Sequence, residues 1–222
     1  MKNIYLRVLS YFSGLFVFTV AIGLSIKSNL GISPVSSVPY TLTVVWGIEI
    51  GIATVIFQAV LIFIQFLLLK KQFKINHLLQ LPVGIIFGGF TSFSVWLVSF
   101  LPPASTLLIS LIYLIISIIL VAIGELLYLP PDLVPLASSG FVQAISVVSG
   151  VEFSKVKVIS DVMMILSSGI TCLIFVHSLG SVGIGTVLSA IFIGTTMSVI
   201  MKIFYKLTGI KINLKPGYEE NK

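Results

Sequence analysis

Charged residues are scarce in this chain. Only 9% of its 222 residues are Asp, Glu, Lys or Arg, whereas about a quarter of a soluble globular domain is charged. Uncharged apolar stretches fill most of the sequence, and the segments between them are too short for a folded soluble domain. The composition excludes a cytosolic enzyme, a nucleic-acid-binding module and a secreted disulfide-rich domain. It predicts a polytopic protein in contact with a lipid bilayer.

Cysteine and catalytic motifs are also lacking. Cys172 is the only cysteine and lies within an apolar run, so it forms no internal disulfide and has no neighbouring metal ligands. The sequence has no His-Glu-x-x-His, no Gly-x-Ser-x-Gly and no Walker motif. We therefore expect a protein that is not an enzyme and that holds no metal or cofactor.

The basic residues are distributed as short clusters between the apolar runs. There are 13 Lys and Arg and the net charge is +6, yet no cluster has the interleaved aromatics of a nucleic-acid site. Such clusters are typical of topology signals on one face of a membrane, with a secondary attraction to anionic lipid headgroups. We expect no nucleic-acid partner.

An internal repeat divides the chain. Ala21-Ile22-Gly23 recurs as Ala122-Ile123-Gly124, and further matches follow in the same order. They are Pro34 with Pro135, Ser37 with Ser138, Gln58 with Asp161, Ile86-Phe87 with Ile191-Phe192, Gly89 with Gly194, and Thr91 with Thr196. The repeat predicts two halves, residues 1–101 and 102–205, followed by a tail of residues 206–222.

Each half contains four apolar segments, of which the second is short. The segments are 8–26, 32–47, 50–69 and 79–101 in the first half, and 104–127, 133–149, 156–176 and 182–205 in the second. A helix of 16 or 17 residues is about 25 Å long, which is less than the roughly 30 Å thickness of the hydrocarbon core.

The positive-inside rule indicates whether the short segments cross the membrane. If all eight segments cross and the N-terminus is cytoplasmic, nine of the 13 basic residues lie inside and four outside. If segments 32–47 and 133–149 enter and leave by one face, twelve lie inside and only Lys27 lies outside. The second arrangement is favoured, with both termini cytoplasmic.

Three crossings in each half place the two halves in opposite orientations. The predicted fold is therefore all-α, with six transmembrane helices and two re-entrant half-helices in two inverted repeats. Irregular backbone at membrane depth occurs only where protein buries it or where it lines a watery cavity. Inverted repeats with half-helices that meet near the midplane are typical of transporters and channels.

Two sequence strings resemble a known family. They are Gly31-Ile32-Ser33-Pro34, continuing to Gly47-Ile48-Glu49-Ile50-Gly51, and Val182-Gly183-Ile184-Gly185-Thr186-Val187 followed by Gly194. They are similar to the YczE/YyaS-like family of bacterial membrane proteins, related to the YitT type, over about Leu15 to Phe204. The resemblance implies a bacterial inner-membrane protein of largely unassigned activity. Members often carry Gly-Pro-x-Asp in the short segments, where this chain has Ser36 and Ala137 at the aspartate positions.

The short segments supply most candidate binding residues. Proline suits the first turn of a helix, and helix N-termini at membrane depth attract an anion or a polar solute. The candidates are Pro34 and Pro135 with the serines Ser33, Ser36, Ser37, Ser138 and Ser139. Alternatively, these residues only permit close packing and satisfy the local backbone.

Asp161 is the sharpest single candidate. It lies about five residues into a predicted spanning helix, where an ionisable group indicates function by default. Its match in the first half, Gln58, is also polar. Lys157 lies four residues earlier on the same helix face and offers a purely structural ion pair. Both interpretations of Asp161 stay open at this point.

Two functions from different classes follow. The first is a small-solute transporter or channel, in which a small polar or anionic solute meets the two half-helices near the midplane. The second is a non-transporting accessory or assembly protein that binds a membrane enzyme or a lipid. Transport predicts a polar cavity between the half-helices, whereas the accessory role predicts a packed and dry centre.

Overall fold

The protein is built from α-helices. The structure is a computed structural model that describes residues 4–131 and 133–208, and within them there is no β-strand. The helices are α1 (Ile4–Ser28), α2 (Pro34–Trp46), α3 (Ile50–Leu69), α4 (Gln80–Ser99), α5 (Leu107–Tyr128), α6 (Ala137–Ser149), α7 (Phe153–Val176) and α8 (Ile184–Thr208). Most of the predicted tail, residues 209–222, lies outside the described residues.

Six of these helices are long and apolar enough to cross a membrane, and two are short. The short helices α2 and α6 have 13 residues each, so each is about 20 Å long and falls short of the bilayer core. Large apolar side chains such as Phe63 on α3 and Ile174 on α7 are about 60% exposed, which suits contact with lipid. The prediction of an all-α polytopic protein is confirmed.

The start of one short helix differs from the prediction. Pro34 is the first residue of α2, as expected, with Ser33 at the N-cap. Helix α6 begins at Ala137, after the N-cap Leu136, so Pro135 precedes the helix. The prediction that Pro135 belongs to the first turn is wrong, because Leu136 still has extended backbone with ψ 149°. A following glycine in the left-handed conformation ends both short helices, with φ near 70°.

Helices α1 and α5 form the centre of the fold and run antiparallel. The Ser10 hydroxyl donates to the carbonyl oxygen of Leu127 at 2.8 Å. Further along α1, the Ala21 carbonyl accepts from the Ser117 hydroxyl at 2.8 Å. Residue numbers that rise on α1 therefore pair with numbers that fall on α5, and the two helices point in opposite directions.

Helix α4 packs beside α1 and runs parallel to it. The hydroxyls of Thr19 and Ser94 are hydrogen-bonded at 2.9 Å, and both side chains are fully buried. Near the ends of the same helices, the Lys27 amine donates to the carbonyl oxygen of Ser99 at 3.2 Å. From the first pair to the second, the residue number rises on both helices, so α1 and α4 run in the same direction.

Helix α3 runs opposite to α4 and therefore opposite to α1. Gly51 lies against the Gly88 backbone, and the Gln65 amide donates to the Gln80 side-chain oxygen at 3.0 Å. Rising numbers on α3 pair with falling numbers on α4. The consecutive long helices α1 and α3, which the short helix α2 connects, therefore point in opposite directions.

Each short helix packs against a long helix of the other half of the sequence. On α2, Ser37 is hydrogen-bonded to Ser168 of α7 at 2.9 Å, and the ring of Trp46 lies 5.4 Å from that of Phe175. These contacts make α2 parallel to α7. The N-terminus of α2 is therefore level with the middle of α7, and its C-terminus lies near the end of α7.

The other short helix makes the corresponding contact. The Gln65 amide of α3 donates to the carbonyl oxygen of Ala137, the first residue of α6, at 3.1 Å. Gln65 and Ser168 occupy matched positions at the offset that relates Gln58 to Asp161. The third segment of each half thus uses a matched polar residue to hold the first turn of the opposite short helix.

Helix α8 is packed less completely than its counterpart α4. A groove of about 690 Å³ separates α5 from α8, and its lining is aliphatic and aromatic apart from Thr195 and Thr196. Phe87 on α4 is 4% exposed, whereas the matched Phe192 on α8 is 48% exposed. The two fourth helices, although matched in sequence, therefore take different positions in the fold.

Candidate solute site

A small cavity lies where the two short helices begin. Its volume is about 20 Å³, enough for one or two water molecules. It is lined by Phe18 and Ile22 of α1, Val35, Ser36 and Pro39 of α2, Ile50, Thr54, Phe57 and Gln58 of α3, Phe87 of α4, the N-cap Leu136 and Ser138 of α6. The first turns of α2 and α6, from opposite halves of the chain, thus meet at one site.

The polar groups of this cavity are few and uncharged. Ser36, Gln58 and Ser138, all predicted site residues, line it together with Thr54. The Ser36 hydroxyl accepts a hydrogen bond from Ser33 at 3.2 Å, and the Thr54 hydroxyl donates to the carbonyl of Ile50 at 2.7 Å. No acidic or basic side chain lines the cavity, so its electrostatics are set by backbone dipoles, hydroxyls and one amide.

Gln58 stands out among the lining residues. It is 3% exposed, and its side-chain oxygen has no hydrogen-bond partner within residues 4–131 and 133–208. Buried polar groups are nearly always hydrogen-bonded, because an unmade hydrogen bond is costly. An unsatisfied amide on the wall of a cavity is therefore the feature that most directly indicates a ligand.

The other predicted serines do not line the cavity. Ser37 is fully buried and its hydroxyl donates to the carbonyl oxygen of Pro34 at 2.6 Å. Ser33 bonds to Ser36 as described, and Ser139 lies 3.5 Å from the Tyr128 hydroxyl. The structure gives these three serines and Pro34 local roles in shaping and packing the short helices.

Asp161 lies away from the cavity. It forms an ion pair with Lys157 at 2.5 Å, and the two side chains are 21% and 38% exposed. This is the structural partner that the sequence offered. Because α7 begins at Phe153, Asp161 lies in the third turn of the helix rather than about five residues from its start. Its second oxygen is buried without a partner in the described part of the chain.

A second cluster of buried amides was not predicted from the sequence. Gln65 and Gln80 are at most 1% exposed and hydrogen-bond to each other beside the first turn of α6. A Cβ atom on Gly140 would lie 2.7 Å from an atom of each amide. The available signal was Gln65 itself, seven residues after Gln58 on the same face of an otherwise apolar helix.

The described residues show no grouping of three or more His, Cys, Asp or Glu that could hold a metal ion. Cys172 is buried and its sulfur lies 3.8 Å from the Thr41 hydroxyl and 3.6 Å from that of Ser181. These contacts give the cysteine a packing role between α2, α7 and the start of α8. The arrangement around the cavity is suited to non-covalent binding.

The six spans and the paired short helices define a multi-pass helical membrane protein. Comparison with known families adds one finding: the chain belongs to a family of unknown function (DUF6198), which it matches over residues 5–202. Searches of curated proteins and of solved structures returned no match. The resemblance to the YczE/YyaS-like family stays a prediction from the sequence.

Proposed function

We propose that this protein is a small-solute transporter or channel of the bacterial inner membrane, with its solute site in the cavity between α2 and α6. One observation carries the proposal: the first turns of two half-length helices from opposite halves line one cavity with an unsatisfied buried amide, Gln58. Half-helices that meet in this way bind the solute in several transporter folds.

The helix directions support two re-entrant segments in inverted halves. Helix α1 and helix α3 point in opposite directions, so α2 enters and leaves by one face of the membrane. Helix α5 is antiparallel to α1, as the first helix of an inverted second half must be. Each short helix contacts the third segment of the other half. A pseudo-two-fold axis in the membrane plane relates the two contacts, because it carries each half onto the other. In this proposal both termini lie in the cytoplasm, on the side that the positive-inside rule favours.

The unequal packing of α4 and α8 supports a transporter rather than a channel. An inverted-repeat transporter has matched elements in different conformations, and it reaches its second state when they exchange conformations. Phe87 is buried where Phe192 is half exposed beside the 690 Å³ groove. In the second state α8 would close on α5 and α4 would move away from α1.

The accessory or assembly role is the second candidate. The cavity measures only about 20 Å³ and is mostly apolar, so the centre of the protein is nearly dry in this conformation. A protein that only binds a membrane enzyme or a lipid would have such a centre throughout its working life. In that case the serines of the cavity would be dispensable.

A flux measurement distinguishes the two candidates. The purified protein is placed in liposomes, and the permeation of chloride, fluoride, formate and glycerol is measured by ion-selective electrodes and light scattering. Transport predicts that Ser36→Ala with Ser138→Ala lowers the flux of the permeant solute about tenfold, the effect of losing roughly 1.4 kcal/mol of hydrogen bonding.

The matched control is Ser110→Ala, which removes a buried hydroxyl from α5 away from the cavity and is expected to leave the flux unchanged. If a solute permeates equally through the double variant, the site assignment is wrong. If none of the four solutes permeates through the wild-type protein, transport of such solutes is wrong and the accessory role takes its place.

A further inference from the structure

The electrostatics of the central cavity narrow the class of ligand. This step rests on the proposed function. We infer that the site holds one dehydrated, halide-sized anion, without a protein counter-charge. Three features lead there: the convergence of two helix N-termini, the uncharged lining and the cavity volume.

The helix termini make the cavity electropositive. Each helix N-terminus is equivalent to roughly half a positive charge, carried by N–H groups that have no acceptor within the helix. In α6 the first helical hydrogen bond joins the Gly140 N–H to the Leu136 carbonyl at 3.0 Å, so the N–H groups of residues 137–139 precede it. In α2, Pro34 has no N–H, and the N–H groups of Ser36 and Ser37 bond to the Ser33 carbonyl. The N–H of Val35, a residue that lines the cavity, is therefore the donor that remains in this turn.

Gln58 adds an amide whose oxygen is unpaired. The residue is only 3% exposed, and this oxygen has no hydrogen-bond partner in the described part of the chain. Because the oxygen is an acceptor, an anion requires a half-turn of the carboxamide that exchanges the oxygen and the NH₂ group, and the NH₂ group then donates into the cavity. The hydroxyls of Ser36 and Ser138 lie on the same wall and can rotate to donate as well.

Asp161, the residue that matches Gln58 in the repeat, does not line the cavity. A carboxylate facing the cavity would repel an anion, but that of Asp161 is paired with Lys157. With no carboxylate on the wall to offset the helix dipoles, a cation is disfavoured and an anion is favoured.

The volume limits the size of the anion. About 20 Å³ accommodates one or two water molecules, and therefore a single halide ion. A solute of several heavy atoms would need the walls to move apart. Most of the lining is apolar, including Phe18, Phe57 and Phe87, and these side chains leave no room for the water shell of an ion. The ion therefore binds without its water and is held by the helix termini and Gln58.

Two substitutions of Gln58 test the inference, and both are expected to weaken the binding of an anion. Gln58→Met keeps the approximate size and removes the amide, and Gln58→Glu keeps the shape and adds a negative charge. Thr91→Val is the control, since Thr91 is buried on α4 with its hydroxyl bonded to its own helix and does not line the cavity. The probes are sodium fluoride, sodium chloride and sodium gluconate.

Fluoride or chloride is expected to raise the thermal unfolding midpoint of the purified wild-type protein relative to gluconate, because a ligand that binds only the folded state stabilises it. The shift should persist in Thr91→Val and disappear in both Gln58 variants. In liposomes, halide efflux should fall about tenfold in Gln58→Met, the equivalent of 1.4 kcal/mol, and further in Gln58→Glu. The unfolding midpoint in gluconate reports whether each variant is folded.

The inference and the proposed function fail in different ways. If formate or glycerol permeates in a manner sensitive to Ser36 and Ser138 while halides neither bind nor permeate, the halide site is wrong and the transporter stands. Sodium efflux through the wild-type protein that is lost in Gln58→Met would show a cation site instead. Halide efflux that is equal in wild type and Gln58→Met would remove Gln58 from the site. No permeation of any probe and no halide-dependent stabilisation would overturn both.

Discussion

At the scale of single residues, the close approach of α1 to α5 depends on glycine. A Cβ atom on Gly14 would lie 2.5 Å from the Tyr128 backbone nitrogen and 2.8 Å from the Gly124 carbonyl oxygen. These are backbone atoms of α5, which cannot turn aside as a flexible side chain can. The absence of a side chain at Gly14 is therefore what lets α1 and α5 cross tightly, and small residues serve helix packing in membranes in this way.

Gly14→Ala is accordingly expected to destabilise the protein by about 1–3 kcal/mol, the usual cost of overpacking. Gly89→Ala is the matched control: Gly89 is also helical, and nothing lies within 4 Å of the Cβ position. Because alanine favours helix over glycine by up to about 1 kcal/mol, the control should be neutral or stabilising. Thermal unfolding in one detergent measures both. Equal midpoints for the two variants would show that α1 and α5 separate easily.

The sequence predicted part of the candidate site at this scale. Ser36, Ser138 and Gln58 were expected to bind solute and they line the cavity. Ser37 and Asp161 were expected beside them and do not line the cavity, because the direction in which a side chain points depends on what packs against its helix. The sequence shows which residues are polar, whereas the packing of neighbouring helices decides where each polar side chain points.

At the scale of helices, matched elements differ in position. The repeat alignment relates Phe18 and Phe87 of α1 and α4 to Ile119 and Phe192 of α5 and α8. The rings of Phe18 and Phe87 are in contact, with centroids 5.6 Å apart. Ile119 and Phe192 instead line the groove of about 690 Å³. If the halves exchange conformations, this groove closes at times.

Disulfide trapping tests that motion. In a Cys172→Ser background, Ile119→Cys with Phe192→Cys is expected to crosslink on oxidation of membranes, because a disulfide captures any closed state that brings the two Cα atoms within about 7 Å. Crosslinking should be slower than for the control pair, Phe18→Cys with Phe87→Cys, which is in contact already. The extent of each crosslink is measured as a shift in electrophoretic mobility.

A negative result would be informative. If the control pair crosslinks fully while the α5–α8 pair remains reduced over hours, α8 does not close on α5. The exchange of conformations between halves would then be abandoned, and a channel or the accessory role would fit the structure better.

At the scale of the whole molecule, charge distribution and helix direction point to the same topology. The positive-inside count places 12 of 13 basic residues on one side when the short segments do not cross. Independently, α1 and α4 run parallel while α3 runs opposite to them, as the contacts between Thr19 and Ser94 and between Gln65 and Gln80 show. Two unrelated observations thus favour six crossings.

Surface labelling checks this topology. In the Cys172→Ser background, Lys27→Cys and Lys71→Cys are introduced singly, and intact cells are treated with a membrane-impermeant thiol reagent. We expect labelling at position 27 only, because just two crossings, α1 and α3, precede position 71 and return the chain to the cytoplasm. The control is the same reagent applied to permeabilised cells, in which both positions should react. Equal labelling of both positions in intact cells would instead restore an eight-crossing topology.

The sequence by itself determined the class of protein, the number of apolar segments and which of them are short. These properties follow from local composition, since the thickness of the bilayer dictates how long an apolar helix must be to span it. It also indicated that two segments are shorter than the hydrocarbon core is thick and that each carries serine. Even the start of α2 at Pro34 was readable, because proline fixes its own backbone angle.

Only the tertiary structure decided which of these elements meet. The short helices α2 and α6 each pack against the opposite half, and Ser36, Gln58 and Ser138 converge on one cavity although they are far apart in the chain. The sequence left two interpretations of Asp161 open, and the structure pairs it with Lys157. Such contacts depend on how whole helices pack, and equally apolar helices carry little information about their partners. The same limit explains why matched helices α4 and α8 could lie so differently, since one repeated sequence is compatible with two packings.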